Sequence, residues 1–392
     1  MSIIDGPFVT IVLDGVGAGA AADAASYGDT GADTLGHVCD AARPHLPNLE
    51  RWGLGSLRDL AGVAPAPAPV ASYGILAPRS AGKDSTSGHW ELAGLVLENP
   101  FPLYPSGFPP EVIEAFALQA GVSGVLGNRP ASGTTIIEEL GDEHVRRGWP
   151  IVYTSGDSVF QVAAHVDVIS LPELYAMCEA ARQVLVGEHA VGRVIARPFA
   201  GAPGGGYVRL PEARKDFSLP PPGPTLLDAL RAAGVRTVAV GKVAALFAGA
   251  GVDEEIKTRG NADGIARTID AVRRAAGTRA FVWTNLVDFD ELYGHRNDAG
   301  GFARSLEAFD AALPELEAVL PAGARLLLTA DHGNDPCIPG TDHTRERVPV
   351  LLYEPGRPGR PLGDSLSFVD HAATVARHFA ARWDGPGMPF IQ

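Results

Sequence analysis

Short apolar runs, each followed by side chains able to bind a hard metal ion, recur along the whole of this chain. Phe8–Leu13 runs into Asp14. The run 280–287 is followed by Asp290 and, five residues further, His295. The run 325–330 leads into Asp331 and His332, with His343 shortly after. Apolar runs of this length bounded by Gly or Pro read as buried strands. In an open α/β sheet, ligands gather outside the carboxyl ends of the strands. If these strands are parallel neighbours, Asp14, Asp290, His295, Asp331, His332 and His343 converge on one sheet edge. Three carboxylates and three imidazoles suit two divalent cations of the Mn²⁺ or Zn²⁺ type. Such a centre is fitted to metal-assisted chemistry on a phosphoryl-type group.

The 392 residues are long for one core and predict two domains. With 46% hydrophobic and 20% charged residues the composition is that of an ordinary globular protein. The net charge of −14, with no basic stretch to offset it, argues against a nucleic-acid partner. It also means that an anionic substrate has to be met by local cations or metals. Cys39, Cys178 and Cys337 are widely spaced and follow no zinc or redox pattern, so a reducing compartment is expected. The chain starts Met-Ser-Ile-Ile-Asp-Gly, without a basic start or an apolar leader region. No apolar stretch approaches the ~18 residues that a membrane span needs. A cytoplasmic protein with no membrane partner is the expectation.

Two Pro-rich stretches divide the sequence, Glu98 to Pro110 and Gly201 to Pro224. Such segments cannot continue a helix or a central strand and read as crossings between domains. Between them, 151–154, 166–169 and 193–196 read as strands and 171–186 as a helix, enough for a small α/β insert. Outside them, strand and helix patterns alternate: 8–13, 225–233, 237–240, 262–275, 281–287, 302–320, 326–330 and 348–353. That alternation predicts a mostly parallel sheet with helices on both faces. The reading is a discontinuous metal-binding core, 1–98 and 222–392, interrupted by a smaller α/β domain at 99–221. The glycines 204–206 are not followed by a helix with Lys-Ser/Thr, so they read as linker and not as a phosphate loop.

A second chemical signal is Gly82-Lys-Asp-Ser-Thr-Ser-Gly-His-Trp-Glu91. Three consecutive hydroxyls before a predicted helix place one of them at its N-terminus, where unpaired N–H groups and the dipole stabilise an anion. A hydroxyl that also binds a divalent cation can act as an alkoxide nucleophile near neutral pH. The plain alternative is a Ser/Thr helix cap; the metal ligands elsewhere favour the nucleophile.

These segments resemble the phosphopentomutase family of the alkaline phosphatase superfamily. The resemblance rests on Val12-Leu-Asp14-Gly-Val-Gly-Ala-Gly, the Gly82–Glu91 motif, Asn285-Leu-Val-Asp-Phe-Asp290-Glu-Leu-Tyr-Gly-His295, Thr329-Ala-Asp331-His332-Gly-Asn-Asp-Pro and Gly340-Thr-Asp-His343-Thr-Arg-Glu. It extends into the insert at Tyr153-Thr-Ser-Gly-Asp-Ser158 and Gly192-Arg-Val-Ile-Ala-Arg-Pro-Phe199, and so covers nearly the whole chain in order. The implied fold is an alkaline phosphatase-like core with a mostly parallel sheet flanked by helices, plus an inserted smaller α/β cap domain.

The resemblance also implies roles. Asp14, Asp331 and His332 would hold one metal together with the nucleophile, and Asp290, His295 and His343 the other, with two Mn²⁺ expected. The family's nucleophile is a threonine after the Lys-Asp pair, and the matching residue here is Ser85; Thr86 is the neighbouring alternative. Ser155, Arg193 and Lys242 match substrate-binding positions. The implied reaction interconverts ribose 1-phosphate and ribose 5-phosphate, and their 2-deoxy counterparts. It runs through a phosphoserine enzyme and a pentose 1,5-bisphosphate, primed by a sugar bisphosphate such as glucose 1,6-bisphosphate. The insert would hold the sugar and shut out water. His89 and Trp90 read as packing or supporting groups, and Asp84 as a helix-start carboxylate. Asp335 and Asp342 are expected to accept N–H bonds from the ligand imidazoles. Two rivals share the ligand set: a metal-dependent phosphohydrolase or other mutase of the superfamily, and a non-catalytic binder of metal or sugar phosphate.

Overall fold

Phe8–Leu13 forms strand β1, buried at all six positions. A strand covered on both faces has no use for polar alternation, which is why this run is apolar at every position but the buried Thr10. β2 (Ala71–Ala77) is the second strand; β3 (Leu126–Pro130), β4 (Ile151–Thr154), β5 (Val159–His165), β6 (Arg193–Ala202), β7 (Gly206–Arg209) and β8 (Lys215–Ser218) follow. The last group is β9 (Arg236–Val240), β10 (Glu254–Ile256), β11 (Ala280–Leu286), β12 (Arg325–Thr329), β13 (Val348–Tyr353) and β14 (Leu366–Ser367). The computed structural model describes residues 6–155, 158–204, 206–363 and 366–391. The first five residues, Gly156 and Asp157 of the Tyr153–Ser158 motif, and Gly205 of the glycine run lie outside the described residues.

The chain divides into two compact units, Met1–Asn99 with Pro221–Gln392, and Pro100–Pro220. In the first, one sheet runs in the order β10-β9-β11-β1-β12-β13-β2-β14. β9, β11, β1 and β12 are parallel neighbours, and only the pairings of β13 with β12 and β2 are antiparallel. The register is nearly level, with Leu13 opposite Leu286 and Val12 opposite Thr329. The residues following these strands therefore leave one edge together. Two groups of helices cover the sheet. Thr34–Ala42 and Asn261–Ala275 each pack on Ala299–Ala318; Ser85–Leu92 and Leu226–Ala232 each pack on Val369–His378.

The second unit has the sheet order β3-β4-β5-β6-β7, with β8 also paired to β6. Phe160, Val162, Val194 and Ala196 pack in one apolar cluster with Val112, Phe116, Leu174 and Cys178 of two helices, Pro110–Ala120 and Leu171–Val184. Ile136 and Ile137 of a third helix, Gly133–Arg147, form a separate cluster with Ile151, Tyr153 and Phe199. Two sequence expectations need correction here. The strand expected at 166–169 is the turn after β5: the N–H groups of Val168 and Ile169 both donate to the carbonyl of His165. Nδ1 of His165 also accepts from the N–H of Asp167 at 3.2 Å, which ends the strand. The first Pro-rich stretch does not run as linker to its end, because Pro110 is the first residue of a helix, where a missing N–H costs nothing.

Candidate metal centre and nucleophile

Four parallel strands deliver the site. Asp14 follows β1, Lys242 follows β9, Asp290 follows β11, and Asp331 and His332 follow β12. Asp14, Asp331 and His332 bring ligand atoms within 4.8 Å of one another, and so do Asp290, His332 and His343. His332 belongs to both groups, with its Nε2 3.3 Å from Oδ1 of Asp14. Its ring lies 4.1 Å from that of His343, centre to centre. Oδ1 of Asp290 is 3.4 Å from Nε2 of His343, and Oδ2 is 3.2 Å from Nε2 of His295. The five-residue spacing of Asp290 and His295 fits no ordinary helical turn. Phe289–Tyr293 forms a π-helical turn, whose bonds join residues five apart, and a 3-10 turn at Gly294–Arg296 completes the step.

Ser85 is the first residue of the helix Ser85–Leu92, capped by Asp84, which accepts from the N–H groups of Thr86 and Ser87 at 2.9 and 3.1 Å. The Oγ of Ser85 lies 3.2 Å from Nε2 of His332 and accepts from Nζ of Lys242 at 2.7 Å. Nζ of Lys242 is also 2.5 Å from Oδ2 of Asp14. Lys242 thus sits between the candidate nucleophile and a candidate metal ligand. Close packing fixes the helix: a Cβ at Gly88 would stand 2.1 Å from the carbonyl oxygen of Asp331, so only glycine allows this approach. Gly15 accepts a different demand. With φ of 76° it turns the chain back after Asp14 so that its N–H reaches Oδ1 of Asp331 at 3.3 Å.

Burial alone would raise the carboxyls of Asp290 and Asp331, but neighbouring cations outweigh it. His343 and the bonds from His295 and His343 hold Asp290 well below the usual range; His332, His89 and Lys242 do the same for Asp331. Burial would lower His332, yet Asp331, Asp14 and Asp290 push it up to about 10. This is the signature of an acidic pocket asking for positive charge. Both carboxylate oxygens of Asp14, and Oδ2 of Asp331, are buried, and what they meet are Lys242, His332 and His89. Carboxylates buried this deeply are costly unless positive charge meets them. Hard oxygen and imidazole donors in this arrangement fit divalent metal ions.

The groups supporting the ligands differ from those expected. Nδ1 of His295 donates to the carbonyl of Thr341 at 2.6 Å, and Nδ1 of His332 to that of Gly333 at 3.1 Å. Backbone carbonyls accept from both rings. Asp335 instead pairs with Nδ1 of His37 at 2.6 Å, while Asp342 accepts from the N–H of His343 and pairs with Lys83. Sequence reasoning also missed Asn334, whose Nδ2 donates to Oδ1 of Asp290 at 2.7 Å, and Glu346. Glu346 is buried and accepts from Gly19 N, from both N and Oγ1 of Thr34, and from Oγ1 of Thr344. It joins the loops that follow Asp14 and His343. No spacing rule in the sequence could have singled out either residue. In the second unit, Ser155 is half-buried just after β4, and Arg193 opens β6 with its guanidinium 3.7 Å from Asp216.

Residues 6–382 match the model of the Metalloenzyme superfamily. A parallel α/β core with clustered hard ligands at its strand ends is thus a metalloenzyme of that superfamily. The phosphopentomutase of Caldanaerobacter subterraneus is 54% identical over 372 residues, 95% of this chain and 93% of its own. That of Anaeromyxobacter sp. (strain K) is 55% identical over 96% of both chains, and that of Deinococcus radiodurans 50% over 97% of both. The chain belongs to the phosphopentomutase family and, with it, to the isomerases. Among solved structures, Leishmania mexicana phosphoglycerate mutase covers 98% of this chain and 97% of its own with a TM-score of 0.50 at 13% identity, a likeness of fold alone.

Proposed function

We propose that this protein interconverts ribose 1-phosphate and ribose 5-phosphate, and their 2-deoxy counterparts, with Ser85 as the phosphoryl carrier. The observation that carries the reading is the placement of the Ser85 Oγ, 2.7 Å from Lys242 Nζ and 3.2 Å from His332 Nε2, at a helix N-terminus. Thr86, the alternative hydroxyl, is buried. Asp14, Asp331 and His332, with Ser85, would hold one divalent metal and Asp290, His295 and His343 the other, and Mn²⁺ is the ion we assign. When bound, the metals neutralise charge on the phosphoryl oxygens and lower the pKa of the hydroxyl.

The chain's own groups do the rest. Phosphorylated Ser85 gives its phosphoryl group to the free hydroxyl of the sugar monophosphate: the new P–O bond forms as the Oγ–P bond breaks, and the proton that the sugar hydroxyl gives up ends on the freed Ser85 Oγ. The product is a pentose 1,5-bisphosphate. Transfer of its other phosphate back to the Ser85 Oγ releases the isomeric monophosphate. Lys242 holds Oγ in line and offsets the charge that develops there. The positive end of the helix dipole at Ser85 favours the phosphate dianion. Ser155 and Arg193 are assigned to the sugar phosphate on the likeness of their motifs, Arg193 as a bidentate clamp. A sugar bisphosphate such as glucose 1,6-bisphosphate primes the serine. Three free cysteines, with Cys337 exposed, fit a reducing cytoplasmic setting. Among the described residues no helix is long and apolar enough to cross a membrane.

The test follows conversion of ribose 1-phosphate to ribose 5-phosphate with Mn²⁺ and glucose 1,6-bisphosphate, reading free phosphate in the same tube. Isomerisation without phosphate release, lost in Ser85→Ala, supports the assignment. Phosphate as the main product would make the protein a hydrolase built on the same metal core.

A further inference from the structure

His89 is fully buried on the helix that starts at Ser85, one turn further along. Its Nδ1 lies 2.9 Å from the carbonyl oxygen of Ser85 and 3.1 Å from Oδ2 of Asp331. Both neighbours are oxygen acceptors, so Nδ1 carries the proton. On the other side of the ring, Nε2 faces the Nδ2 of Asn285 at 3.5 Å. Trp283 stacks against the ring, 5.7 Å between centres and 21° from parallel. Asn285 and Trp283 belong to β11, the strand that leads to Asp290. The imidazole is therefore fixed by one ligand-bearing strand while its N–H points at the ligand of another. The backbone beside it is equally constrained, because Gly88 lies directly on the carbonyl of Asp331.

We propose that His89 is a positioning residue whose Nδ1–H sets the first turn of the nucleophile helix against the Asp331 carboxylate. It thereby fixes both the reach of Ser85 and the orientation of a metal ligand. The role given to Ser85 rests on the function proposed above; the effect on the metal site does not. Partners of this kind behind a ligand tune affinity by about 10–100-fold.

Two substitutions separate positioning from packing. His89→Asn places an amide N–H near the position of Nδ1 but leaves a larger void. His89→Gln fills the space better but carries its N–H out toward the position of Nε2. Mn²⁺ binding to metal-stripped protein is measured by calorimetry, with melting temperature, and kcat and KM for ribose 1-phosphate at saturating Mn²⁺. The expected result is Mn²⁺ affinity reduced about 10-fold or more in His89→Gln, with kcat lowered and KM unchanged. His89→Asn recovers most of both, despite the lower melting temperature its void imposes. Wild-type Mn²⁺ affinity in His89→Gln overturns the proposal, and so does an Asn variant no better than Gln. If the wild-type protein binds Mn²⁺ but does not isomerise pentose phosphate, the proposed function fails while the affinity comparison still decides the role of His89.

Discussion

The Nζ of Lys242 donates to the Oγ of Ser85 while lying 2.5 Å from the carboxylate of Asp14. One cation thus touches both the proposed nucleophile and a proposed metal ligand. Asp14, Asp331 and Asp290 outweigh the cost of burying it and raise its pKa, so it stays charged. Lys242→Met should separate the two services. Removing a positive charge from an acidic pocket tightens divalent metal binding, while the loss of the group that holds Oγ lowers turnover by roughly 10²-fold. Calorimetry with Mn²⁺ and steady-state kinetics on the same preparation check both signs, and weaker metal binding would contradict this account.

The family resemblance of the Gly82–Glu91 motif implies a threonine where this chain has Ser85. An added methyl restricts the rotamer and leaves the hydroxyl in place. Ser85→Thr is expected to keep isomerase activity within about 10-fold of wild type, since the hydroxyl chemistry is unchanged. Ser85→Ala should take up no label from a ³²P-labelled sugar bisphosphate. Labelling that survives in Ser85→Ala and disappears in Thr86→Val would move the nucleophile by one residue.

Gly88 has no room for a side chain against the carbonyl of Asp331, and that contact is backbone on backbone. Gly88→Ala should cost about 1–3 kcal/mol of stability by overpacking. It should also shift the nucleophile helix away from the β12 ligands, so kcat falls further than the fraction of unfolded protein explains. Urea unfolding and kinetics at a temperature well below the melting point separate the two effects.

Acid sensitivity can be divided among named groups. Burial pushes His371 and His378 down to about 4, so both are neutral in the folded protein. Unfolded imidazoles titrate near ~6.5, so as pH falls from there to about 4 the unfolded state takes up the extra protons and stability drops. Burial pushes Glu346 up to about 7, against its four hydrogen bonds. Its raised pKa adds stability that is complete below ~4.5 and is lost as pH rises through about 7. The two effects oppose each other in the same window. Glu346→Gln removes the offset, so its stability loss between about pH 7.5 and about pH 5 should exceed that of wild type by roughly 2–3 kcal/mol. Equal losses in urea titrations at the two pH values would show that Glu346 is ionised throughout.

Much of the catalytic edge was legible because parallel strands convert sequence position into spatial position. β13 and β4 begin and end where the apolar runs do, and Asp14, Asp290 and Asp331 come together because β1, β11 and β12 are level neighbours. The insert was less readable. Gln161 and His165 interrupt β5 with polar side chains, while the β-branched residues just after it lie in a turn, so the strand was expected one segment too late. Pro110 conceals a helix start in a proline-rich stretch. His89, Asn334 and Glu346 carry no local signature at all. Each matters through partners distant in sequence, such as His89 with Asp331 and Glu346 with Thr34, and those pairings exist only once the sheet is assembled.

β1 is the first strand in the chain, yet its two neighbours are β11 and β12. A ribosome must therefore release the chain beyond residue 329 before the strand bearing Asp14 has both of its partners. The segment 100–220 is contiguous and has its own sheet and apolar clusters, so it can become ordered while the earlier 99 residues are still waiting. A truncated chain that ends before His332 and His343 lacks a ligand of both groups and offers no complete site to an ion.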